Sequence, residues 1–328
     1  MLKYLRVENF KGIDDAVTID LTGQLTKITK GNNKTSISIA LVSSLYHLID
    51  CPMIKPSELP CFFSSKKHTT IEYSFGFERH EGSQHTVMYR YVKDKKGNIV
   101  SESVIIDDEV VIDYEAKRHL KSSLKGVKSL NTKLNNSNIK SGVKYLYYNT
   151  NLDYYDIKNV VFIKFIKFIE NMFYLTGNFN NSLVIGMPLL NNPQTLICQH
   201  EKGVKGFEVF LAKLGFDFDL TAYENLVVDE YVILVKHKRY SIPFLSIASN
   251  TLKNLSLFYA WLLALEERQT SLVVLDDVLL DYTPDMAEKL VSELKGYSGI
   301  QWVIWKTYAI RVWIICWQQQ WYKLLLYS

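Results

Sequence analysis

Four consecutive apolar residues, Leu272 to Leu275, are followed directly by two carboxylates, Asp276 and Asp277. An unbroken apolar run of this length predicts a strand that is buried on both faces, as the strands of parallel sheets are. A carboxylate at the carboxyl end of such a strand can hold Mg²⁺, and the acid after it is placed to polarise a water molecule. Since Asp also ends many ordinary strands, the meaning of this pattern depends on the rest of the chain.

The start of the chain predicts a strand, a turn and a helix, in that order. Leu25 to Thr29 favours a strand, the residues Gly31-Asn32-Asn33 favour a turn, and Thr35 to Leu48 has the apolar spacing of a mostly buried helix. Phosphate-binding loops connect a strand to a helix in this way, with backbone N–H groups at the helix start holding the phosphates. The order of elements therefore predicts a phosphate-binding turn.

The residues of this turn supply the expected chemistry at an unusual spacing. Lys34 is a candidate for the cation at the β- and γ-phosphates, and the Thr35 hydroxyl is a candidate Mg²⁺ ligand. Gly31 and Asn33 are candidate backbone contacts to phosphate. A full phosphate-binding loop is three residues longer and has Gly before Lys, so several N–H donors are missing here. The alternative interpretation is a simple Gly-Asn turn that leads into a helix.

A second helix is predicted over Thr251 to Glu267, one helix before the acidic strand. Ser249 and Asn250 form the turn that leads into it. Ser and Asn are common helix caps, and a cap is the plainer interpretation of this pair.

The middle of the chain has a different character. Alternating residues predict strands at Thr69 to Phe77 and at Thr86 to Val92, with two more around the turn at Asp107-Asp108. These strands indicate an antiparallel meander inserted into an α/β framework. A helix is then predicted from Val160 to Leu175.

Lys117 to Lys144 contains eight Lys or Arg residues, and no Asp or Glu occurs between Ala116 and Leu152. This stretch is either a solvated helix and loop or a docking face for nucleic acid or an acidic partner. Several tyrosines follow that are able to stack on bases, although packing is the commoner role of such a cluster: Tyr145, Tyr147, Tyr148, Tyr154 and Tyr155.

Taken together, these segments resemble the ABC-type ATPases of the RecF and SMC kind, and in particular the RecF-like ATP-binding proteins of bacterial abortive-infection and other antiphage operons. Leu5 to Lys11 resembles the family's first strand and its Asn-Phe-Arg/Lys step. Ile71 to Phe75, Tyr89 to Tyr91 and Ile99 to Glu102 resemble its β-rich arm. The order of the phosphate turn at Gly31 to Thr35, the turn at Ser249-Asn250 and the acidic strand ending at Asp276 also matches the family, so the resemblance covers nearly the whole chain.

The resemblance implies an α/β ABC-ATPase head of the P-loop NTPase type with an inserted antiparallel β-rich arm and helical segment. It implies ATP and Mg²⁺ as cofactors, with Asp276 and Thr35 at the metal and Asp277 in the catalytic position. Ser249 and Asn250 would be the signature turn, which contacts the nucleotide of the opposite subunit in a head-to-head dimer. Effector proteins such as a nuclease, and nucleic acid, are the implied partners.

Three departures from the family pattern predict that hydrolysis is very slow or absent. The phosphate loop is short, and Asp277 stands where the family usually has Glu. The family's switch His is also missing, because no His occurs after His237. Five of the six Trp residues lie in the last 27 residues, which indicates either a frameshifted tail or an interaction tail. A non-catalytic ABC-fold binding module that docks nucleic acid or an effector is the alternative function.

The predicted division is an N-terminal part of the head at 1–64, the insertion at 65–175, a C-terminal part of the head at 176–304 and a Trp-rich tail at 305–328. Four cysteines without a CxxC pair favour reduced thiols and a cytoplasmic location. The sequence contains no run of about 18 uncharged apolar residues, which is the length that predicts a membrane-spanning helix. The net charge of +4 is too small to indicate nucleic acid by itself.

Overall fold

The structure, a computed structural model, describes residues 1–28, 34–49, 61, 64–78, 84–127, 139–178, 181–185, 192–225, 230–280 and 282–305. In chain order the strands are β1 (Leu2–Glu8), β2 (Val17–Asp20), β3 (Leu25–Ile28), β4 (Thr69–Glu78), β5 (Gln84–Lys93), β6 (Ile99–Ile106), β7 (Glu109–Glu115), β8 (His119–Ser122), β9 (Met172–Asn178), β10 (Asn181–Ile185), β11 (Leu220–Asn225), β12 (Glu230–His237), β13 (Tyr240–Pro243), β14 (Leu272–Asp276) and β15 (Gln301–Trp305). The helices are α1 (Lys34–Ile49), α2 (Gly142–Asn149), α3 (Ile157–Glu170), α4 (Pro193–Gln199), α5 (Gly203–Lys213), α6 (Phe244–Ile247), α7 (Asn250–Glu266) and α8 (Pro284–Leu294).

A five-stranded sheet in the order β10-β9-β14-β15-β3 forms the centre of the α/β part. β14 pairs in parallel with β9 on one side and with β15 on the other, and β15 pairs in parallel with β3. All five residues of β14 are buried. The strand predicted from the apolar run is therefore confirmed as a central parallel strand, covered on both faces.

The two faces of this sheet belong to two hydrophobic cores. Leu272 and Val274 pack into a core that contains residues of α1, α3 and the antiparallel sheet. Val273 and Leu275 pack into a second core, which contains residues of α4, α5, α7 and α8. Because successive side chains of a strand point to opposite faces, every second residue of β14, starting from Leu272, faces α1.

A seven-stranded antiparallel sheet in the order β2-β1-β4-β5-β6-β7-β8 lies on the α1 side. The predicted meander is confirmed as its β4 to β7, and β1, β2 and β8 belong to the same sheet. A buried Gln joins the two sheets: Gln301, the first residue of β15, accepts a hydrogen bond from the Leu2 backbone N–H at 2.8 Å and donates to the Leu2 carbonyl at 2.7 Å. A third, smaller antiparallel sheet contains β11, β12 and β13.

The helix predicted from Val160 to Leu175 is wrong at its end. The helix α3 stops at Glu170, and residues from Met172 onward form β9, which pairs with β14. An amphipathic pattern of Phe and Ile continues across this boundary, so local periodicity does not mark it, whereas pairing with β14 does. The proposed division at residue 175 consequently falls inside β9.

The described part of the lysine-rich stretch contains a strand in addition to the predicted helix and loop. His119–Ser122 forms β8 and Gly142–Asn149 forms α2, while residues 128–138 lie outside the described part of the chain. Trp302 is buried in β15 and packs in the second core. Trp313, Trp317 and Trp321 lie outside the residues that the structure describes.

Candidate functional site

The carboxyl ends of β3, β15 and β14 lie side by side at one edge of the parallel sheet. Leu275 is paired with Ile304, and Trp305 is paired with Ile28, so the last residues of the three strands are level. Neighbouring strands are about 4.8 Å apart, which places Ile28 roughly 10 Å from Asp276 across β15. The strand that leads to the phosphate turn and the acidic strand are thus near neighbours, as predicted.

The chain passes from this edge directly into α1. β3 ends at Ile28, and α1 begins at Lys34 after only five residues, 29–33. Gly31 and Asn33 lie within those five residues, outside the part of the chain that the structure describes. The backbone of Lys34 and Thr35 forms the first turn of α1, as the Lys-Thr pair of a phosphate-binding loop would. Their side-chain positions also lie outside the described part.

Asp276 is the last residue of β14 and is 4% exposed. It has the same parity as Leu272 and Val274, so it projects on the face of the sheet that packs against α1. Tyr174 on β9 donates a hydrogen bond from its hydroxyl to Asp276 Oδ2 at 2.8 Å. The candidate metal ligand therefore faces the helix that begins at Lys34, and a neighbouring strand fixes its orientation.

The phenol of Tyr174 is held in its neutral, donating form. Burial is the main cause that raises its pKa, and the negative charge of Asp276 together with the hydrogen bond raises it further. A protonated phenol stabilises the ionised form of the carboxylate to which it donates. Thr176, directly opposite Asp276 in the β9–β14 register, has a smaller effect that lowers the Tyr174 pKa.

Asp277 has a left-handed backbone conformation, with φ of 59°, and its side chain is exposed. Asp tolerates this conformation better than most residues. The chain therefore turns sharply after β14, and the Leu280 N–H closes the turn on the Asp277 carbonyl at 3.2 Å. This turn presents the second carboxylate to solvent at the sheet edge, next to the buried Asp276.

Ser249 and Asn250 lie at the start of α7, which packs on the opposite face of the sheet from α1. The Ser249 hydroxyl caps the helix by accepting a hydrogen bond from the Leu252 N–H at 3.3 Å. Both residues are exposed. The helix cap is therefore confirmed, and the exposed start of α7 leaves this turn accessible to another molecule.

The sequence prediction missed Tyr174. The apolar spacing of Val160 to Leu175 predicts that Tyr174 lies in a helix, whereas it lies in β9, beside β14. The signals that could have found it are Asn171, a common helix end, and the aromatic and apolar residues Met172 to Leu175 before Gly177.

No protein-family model matches the sequence, and a comparison with curated proteins finds no relative. Among solved structures, the chain is similar to an SMC head bound to the C-terminal winged-helix domain of ScpA, at 12% identity and a TM-score of 0.49, covering 93% of this chain and 89% of that chain. The SMC head domain from Thermotoga maritima is 14% identical over the same shares, with a TM-score of 0.46.

RecF with ATP, a recombination mediator protein of the RecFOR pathway, is 13% identical, with a TM-score of 0.37 and coverage of 94% of this chain and 92% of that chain. Each of these likenesses is one of fold, at low identity. The function of this chain is therefore inferred from its own residues.

Proposed function

We propose that the protein is an ABC-type nucleotide-binding head that binds Mg²⁺-ATP at the edge formed by β3, β14 and β15 and hydrolyses it very slowly or not at all. One observation carries the proposal: Asp276 is buried at the end of a central parallel strand, on the face covered by the helix that begins at Lys34. A basic helix start and a buried carboxylate at one sheet edge suit a polyphosphate with a divalent cation.

The roles follow from the chemistry of each residue. Backbone N–H groups of Gly31 and Asn33 would contact the phosphates, with the Lys34 ammonium at the β- and γ-oxygens. The Thr35 hydroxyl and Asp276 carboxylate are hard oxygen donors, which fit Mg²⁺ shared with phosphate oxygens. When bound, the ion would neutralise charge that develops on the phosphates. Tyr174 would orient Asp276 for this role through its hydrogen bond to Oδ2.

Slow hydrolysis is proposed because phosphoryl transfer depends mostly on positioning. A loop that is three residues short offers fewer N–H donors to the γ-phosphate. Asp277, one methylene shorter than Glu, must reach further to orient a water molecule. The loss of one well-placed electrostatic contact commonly costs on the order of 10²–10³ in rate, so several weakened contacts together would leave little activity.

The same proposal includes a head-to-head dimer in which the exposed turn at Ser249 and Asn250 contacts the nucleotide held by the other subunit.

A role as the ATP-binding sensor of a bacterial defence system rests on the family resemblance. A cytoplasmic location rests on the four cysteines, which contain no CxxC pair. Loss of phage protection in cells that carry the Lys34→Ala variant, in a plaque assay, would support the defence role. Equal protection by both forms would contradict it.

The central test measures binding and hydrolysis separately. Equilibrium binding of Mg²⁺-ATP should be lost in Lys34→Ala, because Lys34 supplies the fixed cation at the phosphates, and retained in Lys205→Ala on the surface of α5. Unchanged ATP affinity in Lys34→Ala would place the nucleotide elsewhere.

Steady-state phosphate release should stay far below about 1 s⁻¹, the lower end of the ordinary enzyme range. A rate at that level, lost in Asp277→Asn, would contradict the proposal of impaired hydrolysis.

A non-catalytic docking module is the second candidate, favoured by the exposed tyrosines next to α2 and α3. Tyr148, Tyr154 and Tyr155 are 55%, 73% and 100% exposed, and Lys144 lies 6.0 Å from the Tyr148 ring centre. Exposed aromatic rings beside cations suit stacking on single-stranded nucleic acid. A labelled single-stranded oligonucleotide should then bind more weakly to Tyr154→Ala/Tyr155→Ala than to the unchanged protein. Equal binding would remove this candidate.

A further inference from the structure

A pocket of about 560 Å³ opens at the amino edge of the parallel sheet. Its walls include Ser271, which precedes β14, and Gly299 to Gln301, where β15 begins. The last turns of α3 and the end of β4 complete it. The strand β14 separates this edge from Asp276, a distance of roughly 15 Å. The pocket is therefore separate from the proposed nucleotide site and has the size of a small-molecule site.

Hydrogen bonds within the protein fix the polar wall of this pocket. Ser271 Oγ donates to the Phe168 carbonyl at 2.5 Å, and the Ser271 N–H donates to the Asn171 carbonyl at 2.9 Å. The Gln301 N–H donates to the Ser271 carbonyl at 3.0 Å. These bonds tie the end of α3 to the starts of β14 and β15, so the wall is preformed and a ligand need not order it.

The inner surface of the pocket is apolar. Phe168 lies edge-on to Phe77, with ring centres 6.1 Å apart, and also contacts Phe75 at 5.4 Å. Ile300 is 7% exposed and belongs to the second hydrophobic core. Fixed aromatic and aliphatic groups of this kind favour a flat apolar part of a ligand.

The rim of the pocket is positively charged. Lys164 and Lys167 lie one turn apart on α3, both line the opening and both are exposed. Side chains three residues apart are neighbours on a helix surface, so their two ammonium groups can reach one ligand group. No acidic residue is among the lining residues within the described part of the chain. Glu170 at the end of α3 interacts with Lys167 from outside the lining, so the two lysines together leave the rim with a net positive charge that favours an anion.

We propose that this pocket binds a small amphipathic anion. Its carboxylate, sulfonate or phosphate group contacts Lys164 and Lys167, and its ring-sized apolar part packs against Phe168 and Ile300. The preformed wall, the apolar interior and the charged rim each match one part of such a ligand. Because the pocket lies at the edge opposite Asp276, its ligand and Mg²⁺-ATP should occupy the protein together.

The test uses 8-anilinonaphthalene-1-sulfonate, an aromatic sulfonate whose fluorescence rises in apolar surroundings. We expect saturable binding by the full chain and about tenfold weaker binding by Lys164→Ala/Lys167→Ala. This is the loss of affinity expected when two partly exposed charge contacts are removed. Lys164→Arg/Lys167→Arg should retain the affinity. As the matched control, Lys205→Ala/Lys213→Ala removes two exposed lysines from α5 and should also retain it.

Two further measurements make the result specific. Uncharged N-phenyl-1-naphthylamine should bind the double alanine variant and the unchanged protein equally, since it makes no charge contact. Saturating Mg²⁺-ATP should leave the affinity for the sulfonate probe unchanged. Equal probe affinity in the double alanine variant, or displacement of the probe by ATP, would overturn the pocket proposal. Neither outcome would affect the Lys34→Ala test of nucleotide binding.

Discussion

At the scale of single residues, the hydrogen bond from Tyr174 to Asp276 has a testable consequence for metal binding. Groups that orient a metal-binding carboxylate commonly change metal affinity by about 10- to 100-fold. Tyr174→Phe should therefore weaken ATP binding about tenfold in the presence of Mg²⁺ and leave ATP binding in EDTA unchanged. Equilibrium binding of a fluorescent ATP analogue under both conditions measures this difference.

Tyr114→Phe is the matched control, because the Tyr114 hydroxyl donates at 2.8 Å to the Ile139 carbonyl, a backbone group. It should not change the Mg²⁺ dependence. An equal loss of affinity with and without Mg²⁺ in Tyr174→Phe would indicate a purely structural role for the tyrosine.

A second prediction at this scale concerns the buried His47 at the end of α1. Its side chain is 7% exposed, contacts the Tyr89 hydroxyl and lies 3.8 Å from Glu102. Burial is the main cause that lowers the His47 pKa well below 6.5, and the charges of Lys93 and Lys144 lower it further. The unfolded chain, with a His pKa of about 6.5, therefore binds the proton more readily than the folded chain.

His47 should consequently destabilise the fold as the pH falls below about 6.5. When a His stays neutral in the folded state, the free energy of unfolding falls by about 1.36 kcal/mol for each pH unit below the unfolded pKa. The fall between about pH 6.5 and pH 5 is therefore up to about 2 kcal/mol. Burial raises the Glu102 pKa, which acts in the opposite direction. The measurement is therefore the difference between the unchanged protein and His47→Gln in urea unfolding at pH 7.5 and 5. An identical pH dependence for the two proteins would refute the prediction.

At the scale of elements, the proposal predicts that the short connection from β3 to α1 limits nucleotide binding. Only residues 29–33 join Ile28 to Lys34, whereas a full phosphate-binding loop would need three more. Insertion of Ser-Gly-Gly between Asn33 and Lys34 should raise ATP affinity by supplying the missing N–H donors. We expect a gain of about tenfold or more, since each recovered hydrogen bond to a charged group contributes about 1.5–3 kcal/mol.

The control places the same three residues after Gly97, in the turn between β5 and β6, where a Cβ atom would meet open space. That insertion should leave ATP affinity unchanged. Isothermal titration with Mg²⁺-ATP measures both variants. No gain from the insertion before Lys34 would mean that this segment is a turn that leads into a helix and does not hold phosphate.

At the scale of the whole molecule, Gln301 connects the parallel and antiparallel sheets. Its side chain is buried, makes two hydrogen bonds to the Leu2 backbone, and donates to the Leu21 carbonyl at 2.5 Å. Gln301→Leu would leave the Leu2 N–H and these carbonyls buried without their partner. A buried group left unsatisfied costs about 1–3 kcal/mol, so urea unfolding should show a loss of about 3 kcal/mol.

Gln24→Leu is the matched control, because the exposed Gln24 side chain donates a single hydrogen bond within the described residues, to the Tyr297 carbonyl at 3.2 Å. That substitution should change the free energy of unfolding by no more than about 0.5 kcal/mol, as substitutions of exposed residues usually do. Equal stability of the two variants would mean that the packing of the two cores, and not Gln301, connects the sheets.

The sequence alone determined the elements whose evidence is local. The unbroken apolar run before Asp276 predicts a strand covered on both faces, because burial of every side chain in it is favourable and none of them is polar. The Ser249 cap marks a helix beginning through the hydrogen bond that its side chain makes to the helix backbone. The order of the predicted phosphate turn and the acidic strand is likewise readable along the chain.

Only the tertiary structure decided which distant segments meet. The order β9-β14-β15-β3, the face to which Asp276 projects, and the hydrogen bond from Tyr174 all depend on strand pairing, and the pairs β9 with β14 and β15 with β3 join segments that are 100 or more residues apart. Local periodicity carries no information about such pairing, which is why Met172 to Leu175 was assigned to a helix. Burial between two sheets, set by the packing of the whole chain, made Gln301 a junction and gave Asp276 its tyrosine partner.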